Sequence, residues 1–202
     1  VGGLVGAIET DGSYSLSELK NTGNVTGLNQ IGGIIGRIGN ETNVKNGVYV
    51  ITSNDVSNSG EISGNAYVGG IVAQMESTSI NSFMLCTNNA TLQGTLVGGI
   101  AGKANISMER CSNMGAITAF RSEMGAPYAG GLVGKYANAS LSLSIDSCFN
   151  RGNVTAYTWT QNSTAYAGGF IAMLEESVSL NVLDAFNAGI VSIAGTTSST
   201  VV

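Results

Sequence analysis

Val1-Gly2-Gly3-Leu4-Val5-Gly6, taken alone, has the composition of a phosphate loop, because bare glycine backbone lets N–H groups approach an anion closely. The rest of the chain gives these glycines another use. The hexapeptide returns as Ile31-Gly32-Gly33-Ile34-Ile35-Gly36, then as VGGIVA from Val68 and VGGIAG from Val97. It returns again as AGGLVG from Ala129 and AGGFIA from Ala167. A nucleotide site needs one such loop feeding a helix, with partner residues nearby. Here the motif occurs six times, every copy keeps both glycines of the pair, and helical periodicity is weak throughout.

Each copy carries a second landmark downstream, apolar-x-Asn-x-Gly-x-apolar-x-small. Its Asn is Asn21, Asn58, Asn88, Asn113, Asn150 and Asn187. The Gly two residues later is Gly23, Gly60, Gly115, Gly152 and Gly189, with Ala90 as the exception. The opening apolar slot holds Leu19, Val56, Cys86, Cys111, Cys148 and Ala185, so all three cysteines share one repeat position. Upstream lies an alternating run, clearest in Ser140-Leu141-Ser142-Leu143-Ser144-Ile145-Asp146. Its apolar side chains fall three residues before the slot, as with Ile145 and Cys148 or Met108 and Cys111. An odd step reverses the facing in a straight strand, so the spacing predicts a bend or bulge between the two segments.

Period-2 alternation in short runs is the signature of strands. Each copy reads as three of them: the GG motif, the alternating run and the Asn-Gly segment. Stacked units give an all-β parallel solenoid, rising ~4.8 Å per coil. The expected organisation is a single repeat domain over residues 1–202, with coils starting at 1, 31, 68, 97, 129 and 167. Like residues then lie above like, and the Asn column becomes an amide ladder at a turn. A β-sandwich of the same strands would leave six aligned asparagines unexplained. Length varies in two places, after the first strand (longest over 37–55) and after the third, where loops are expected to project.

Charged residues make up only 10% of the 202-residue chain, the formal net charge is -5, and eight Lys plus Arg form no basic run. Nucleic acid is therefore not an expected partner. No apolar run reaches the ~20 residues of a membrane span. The chain starts and stops inside the repeat pattern, so the sequence reads as a piece or subunit of a longer array that partners itself end to end.

Gly3-Leu4-Val5-Gly6 and Gly131-Leu132-Val133-Gly134, with the Asn-x-Gly-x-Val-Thr tail, resemble the GLUG motif. GLUG-repeat regions occur in bacterial cell-surface proteins, including immunoglobulin A peptidases, and in surface proteins of some protists. The resemblance covers essentially the whole chain. It implies an extracellular, non-catalytic stalk or adhesion region and names no ligand.

Several groups were weighed for chemistry. With no His and three Cys, the usual zinc sets are incomplete, and no metal or other cofactor is expected. Cys86, Cys111 and Cys148 read as a buried column of small apolar side chains, although a bridge between neighbouring coils is geometrically open. Glu18 and Asp55 share a repeat position, so a polysaccharide-acting enzyme would pair them as acid and base; solvated surface acids are the plainer reading. Seven N-x-S/T sequons occur, at Asn24, Asn40, Asn89, Asn105, Asn138, Asn153 and Asn162. About four would arise by chance, so placement matters more: Asn40, Asn105 and Asn138 fall at the turn after the first strand, where glycans attach. Tyr157, Trp159 and Tyr166 in the longest late loop would suit a carbohydrate-binding module. The leading expectation is a non-enzymatic structural or adhesive rod, with glycans as possible partners.

Overall fold

The computed structural model describes residues 1–39, 49–75, 81–120, 125–136, 142–159, 164–175 and 178–195. It is all-β. Five parallel sheets run the length of the stack, and each takes its strands from successive coils in order. The fold is a parallel β-solenoid of about six coils.

A full coil has five strands rather than three. In the second coil they are Gln30–Gly32, Ile35–Ile38, Tyr49–Asn54, Ser57–Asn58 and Ile62–Ser63. The GG motif and the Asn-Gly segment are each broken in two, and both breaks have the same cause. A Cβ built on Gly32 would stand 1.8 Å from the carbonyl oxygen of Ile35, so the chain turns there through space only glycine leaves. A Cβ on Gly33 would stand 2.6 Å from Asn58 Cγ. The two landmarks therefore touch across the inside of the coil. The same contact recurs as Gly3 with Asn21, Gly70 with Asn88, Gly99 with Asn113, Gly131 with Asn150 and Gly169 with Asn187.

This contact pinches every coil and divides the interior into two cores. The larger contains Ile34, Ile35, Ile38, Ile51, Val56 and the residues stacked on them, including Tyr136 and the three cysteines. The smaller contains Ile31, Ile62, Val68, Leu92, Val97, Ile117 and Val154. Burial of such apolar columns, at about 25 cal/mol per Å2, is the main stabilising term.

The bend expected between the alternating run and the Asn segment is present in every coil. It is made by one residue in the left-handed region: Glu18, Asp55, Leu85, Arg110, Ser147 and Asp184, with φ from 45° to 56°. None is glycine. That residue turns the strand so that Met108 and Cys111, three apart, both point inward. The ladder continues through the bend, since the Leu85 N–H donates to Glu109 O and that of Arg110 to Asp146 O, both at 3.0 Å.

Length variation matches two of the five corners. Of the 37–55 stretch, Ile35–Ile38 and Tyr49–Asn54 are strand, which shortens the loop from both sides. At the equivalent corner of the fourth coil a single residue, Asn105, separates Ala101–Ala104 from Ile106–Glu109.

Candidate functional site

The Asn column is the polar spine of the molecule. Nδ2 of each Asn donates to Oδ1 of the Asn in the next coil, from Asn21 through Asn58, Asn88, Asn113 and Asn150 to Asn187, at 2.7–2.9 Å. The same Nδ2 also donates to the carbonyl oxygen two residues on, as Asn113 does to Gly115 O at 2.8 Å. Asn58, Asn88, Asn113 and Asn150 are fully buried. Both donors and the acceptor of each are therefore used, which is what keeps a buried amide from being destabilising. All the amide dipoles point the same way along the axis, so each bond polarises the next. At the ends the chain of amides is open. Asn21 Oδ1 accepts only from Gly23 N, at 3.2 Å, and Asn187 Nδ2 donates to Gly189 O at 2.8 Å.

The cysteines stack in adjacent coils as free, buried thiols. The Cys111 N–H donates to Cys148 Sγ at 3.3 Å, and Cys111 Sγ donates to Phe83 O at 3.3 Å. A bond from Cys148 favours the Cys111 thiolate, but the bond to Cys86 and burial outweigh it and push that thiol up. The bond to Cys111, with burial, pushes Cys148 up as well. These are unreactive thiols. Among the described residues, no group of three or more Cys, Asp or Glu is placed to hold a metal ion.

Glu18 and Asp55 do share a column, on the outside of the left-handed bend. Both face solvent, followed up the column by Leu85, Arg110, Ser147 and Asp184. Burial and a charged partner are what divide two carboxylates into an acid and a base; these two are exposed.

The sequons fall into three sets. Asn24, Asn89 and Asn153 are exposed. Asn24 Oδ1 accepts Glu61 N and Asn153 Oδ1 accepts Ile190 N, each at 3.0 Å, so the equivalent positions hold the next coil through the oxygen. Asn40, Asn138 and Asn162 lie outside the described residues. Asn105 is fully buried, which corrects its expected place at a surface turn. Its corner is one residue long, and a turn that tight carries the side chain inward.

The expected aromatic group is divided between two sheets. Tyr157 and Trp159 lie on one outer face with ring centroids 6.1 Å apart. Tyr166 is elsewhere, its ring stacked on Tyr128 at 4.8 Å and 2°. Tyr166 belongs to a column that sequence reasoning passed over: Gln30, Tyr67, Leu96, Tyr128 and Tyr166, in register at the head of the strand before each GG pair. Its signal was available, since each of these residues immediately precedes the apolar residue of a GG motif. A cavity of about 50 Å3 opens in this column, lined by Ala66, Tyr67, Thr95, Leu96, Ala126 and Tyr128. On a neighbouring strand Lys135 Nζ lies 5.7 Å from the Tyr128 ring centroid and pairs with Glu175 at 2.8 Å. Burial opposes the Lys135 charge, but the bond to Glu175 outweighs it and holds its pKa above the usual lysine value.

Among the described residues, no helix is long and apolar enough to cross a membrane. No protein-family model, curated protein or solved structure matches the chain. The fold and its columns define a parallel β-solenoid with a buried amide spine, and function has to be argued from those features.

Proposed function

We propose that this chain is a structural and adhesive element of an extracellular protein: a stiff rod, stalk or fibre segment whose role is mechanical rather than catalytic. The observation that carries the reading is the amide ladder, running unbroken through six coils inside five parallel sheets and open at both ends. Such a stack resists bending because every coil is tied to its neighbours by backbone bonds, an internal polar chain and two apolar columns.

The end coils support continuation of the stack. Val182 is 45% exposed directly above Ile145, which is fully buried. In the first coil Val5 is half-buried beneath the fully buried Ile35. A coil laid on either end would bury this surface, extend the five sheets and continue the amide chain from Asn187 or into Asn21. The partner is a further coil, and in the isolated chain a second copy. The resemblance of the sequence to GLUG-repeat regions supports an extracellular setting. There the exposed Asn24, Asn89 and Asn153 are the described positions open to glycans.

Sedimentation and electron microscopy over a range of concentrations test the proposal. Rods lengthening in steps of about 29 Å, six coils per copy, are expected. A discrete 20.5 kDa particle at every concentration would overturn it.

A further inference from the structure

The gap in the tyrosine column has a definable cause. Ile62 and Ser63 pair in register with Leu92 and Gln93, which makes Gly64 and Gly94 equivalent. Two residues, Asn65 and Ala66, separate Gly64 from Tyr67, but Thr95 alone separates Gly94 from Leu96. The fourth coil is thus one residue short at this corner, and it carries Leu where its neighbours two coils on carry aromatic rings. Leu96 is buried and leans on Gly134, where an added Cβ would meet its Cδ2 at 2.7 Å. It forms a floor rather than a rung.

The walls are set by backbone bonds. Thr95 and Leu96 N–H both donate to Ala66 O, at 3.1 and 3.0 Å, and Tyr128 N–H donates to Thr95 O at 2.8 Å. Thr95 Oγ1 donates to Asn65 O at 2.7 Å. The Lys135–Glu175 pair stands beside the Tyr128 ring.

We propose that this gap binds one pyranose ring of a glycan, held between Tyr67 and Tyr128. The two tyrosines are two rungs apart, about 9.6 Å, which leaves about 4.8 Å on each side of a ring placed midway. A flat aromatic ring packs at about 3.5–4 Å and would be loose there. A chair with C–H groups on both faces fills the space and presents those faces to aromatic π-systems. Leu96, Ala66 and Ala126 supply the apolar floor. The tyrosine hydroxyls and the Lys135–Glu175 pair supply donors and acceptors for sugar hydroxyls. The site is small, and one ring is its natural occupant, with the rest of the glycan outside.

The test is ligand-observed saturation-transfer NMR on the full chain. The probes are methyl β-D-glucopyranoside, methyl β-D-galactopyranoside and N-acetylglucosamine, with p-cresol as the flat aromatic. Transfer to the ring protons of at least one sugar is expected. Leu96→Tyr fills the gap with the missing rung, and it should weaken that binding about tenfold or more while thermal stability is kept. Tyr67→Ala removes one wall, leaves the Tyr128–Tyr166 stack intact and must weaken binding likewise, whether or not the Leu96 variant folds. Trp159→Ala must leave binding unchanged. The proposal is overturned if no sugar receives saturation, if p-cresol alone does, if the sugar signal survives both gap variants, or if it is lost with Trp159.

Discussion

The carboxamide of Asn58 occupies the place a side chain on Gly33 would need: a Cβ there would stand 2.6 Å from Asn58 Cγ and 2.1 Å from the carbonyl oxygen of Gly70. Glycine in the GG pair and asparagine in the Asn-x-Gly turn are therefore two halves of one contact, repeated in each coil. It closes the coil at its waist and separates the two cores.

Substitution at that contact should be severe. In Gly99→Ala the new methyl would meet Gly131 O at 2.1 Å and Asn113 Cγ at 2.6 Å. We expect a loss of at least ~3 kcal/mol of stability in chemical denaturation, the range of a strained, disrupted network. Gly6→Ala is the control. A Cβ there meets nothing within 4 Å, and the midpoint should move by no more than ~0.5 kcal/mol.

Asn113→Asp tests the ladder as a chain of donors. Asn113 Nδ2 serves both Asn150 Oδ1, at 2.7 Å, and Gly115 O, at 2.8 Å. A carboxylate offers two acceptors to two acceptors, at a cost of ~3–5 kcal/mol for an uncompensated buried charge. Protonation restores one donor. The variant should therefore regain stability as pH falls from 7 to 4, the opposite of ordinary acid destabilisation, and denaturation midpoints at the two pH values report it.

Two positions should tolerate improvement. Ser53 is fully buried and its Oγ has no hydrogen-bond partner among the described residues. Ser53→Ala should stabilise by ~1 kcal/mol, the order of an unsatisfied hydroxyl. Leu85 holds φ at 54° with its side chain largely in solvent. Asn tolerates that geometry better, so Leu85→Asn should add ~0.5–1 kcal/mol. Calorimetric melting of the single and double variants checks both, and the gains should add.

The thiols and one phenol make stability fall in alkali. Burial pushes up Tyr136, whose OH donates to Ile106 O at 2.9 Å, while Cys148 and Cys111 are raised as described above. A folded value raised above the unfolded one means that the unfolded chain loses its proton first. These groups therefore leave stability intact below about pH 9 and drain it as pH rises through 9 and then 10, the ordinary thiol and phenol values. Melting temperature should be level from about pH 6 to 8.5 and drop beyond. Replacing Cys111 and Cys148 with Ala should move the drop to about pH 10. A thiol reagent should find no reactive cysteine in the native protein and three after denaturation.

The sequence was most informative wherever repeat alignment equals strand register. Cys86, Cys111 and Cys148 align in the text and stack in space because a parallel solenoid adds one coil per repeat. The three-residue step from Met108 to Cys111 announced a bend, since an odd step cannot keep one face in a straight strand. The five-strand coil was not visible, because the breaks come from contacts between residues far apart in the chain, Gly33 with Asn58 above all. Asn105 was misplaced for a related reason: the sequon was read as a surface turn, while the shortness of its corner turns the side chain inward.

The tyrosine gap shows the same division. The sequence lists Tyr67, Leu96, Tyr128 and Tyr166 in equivalent slots and shows the one-residue deletion before Leu96, but only the register turns these facts into a space between two rings. By itself, the sequence determined the solenoid, its handful of columns and the polar spine, because those follow from periodicity, and periodicity is local. The tertiary structure decided the waist, the two cores, the inward turn of Asn105 and the place where a ring can enter. Those depend on which backbone passes within a few ångströms of which side chain, and no one-dimensional pattern records that distance.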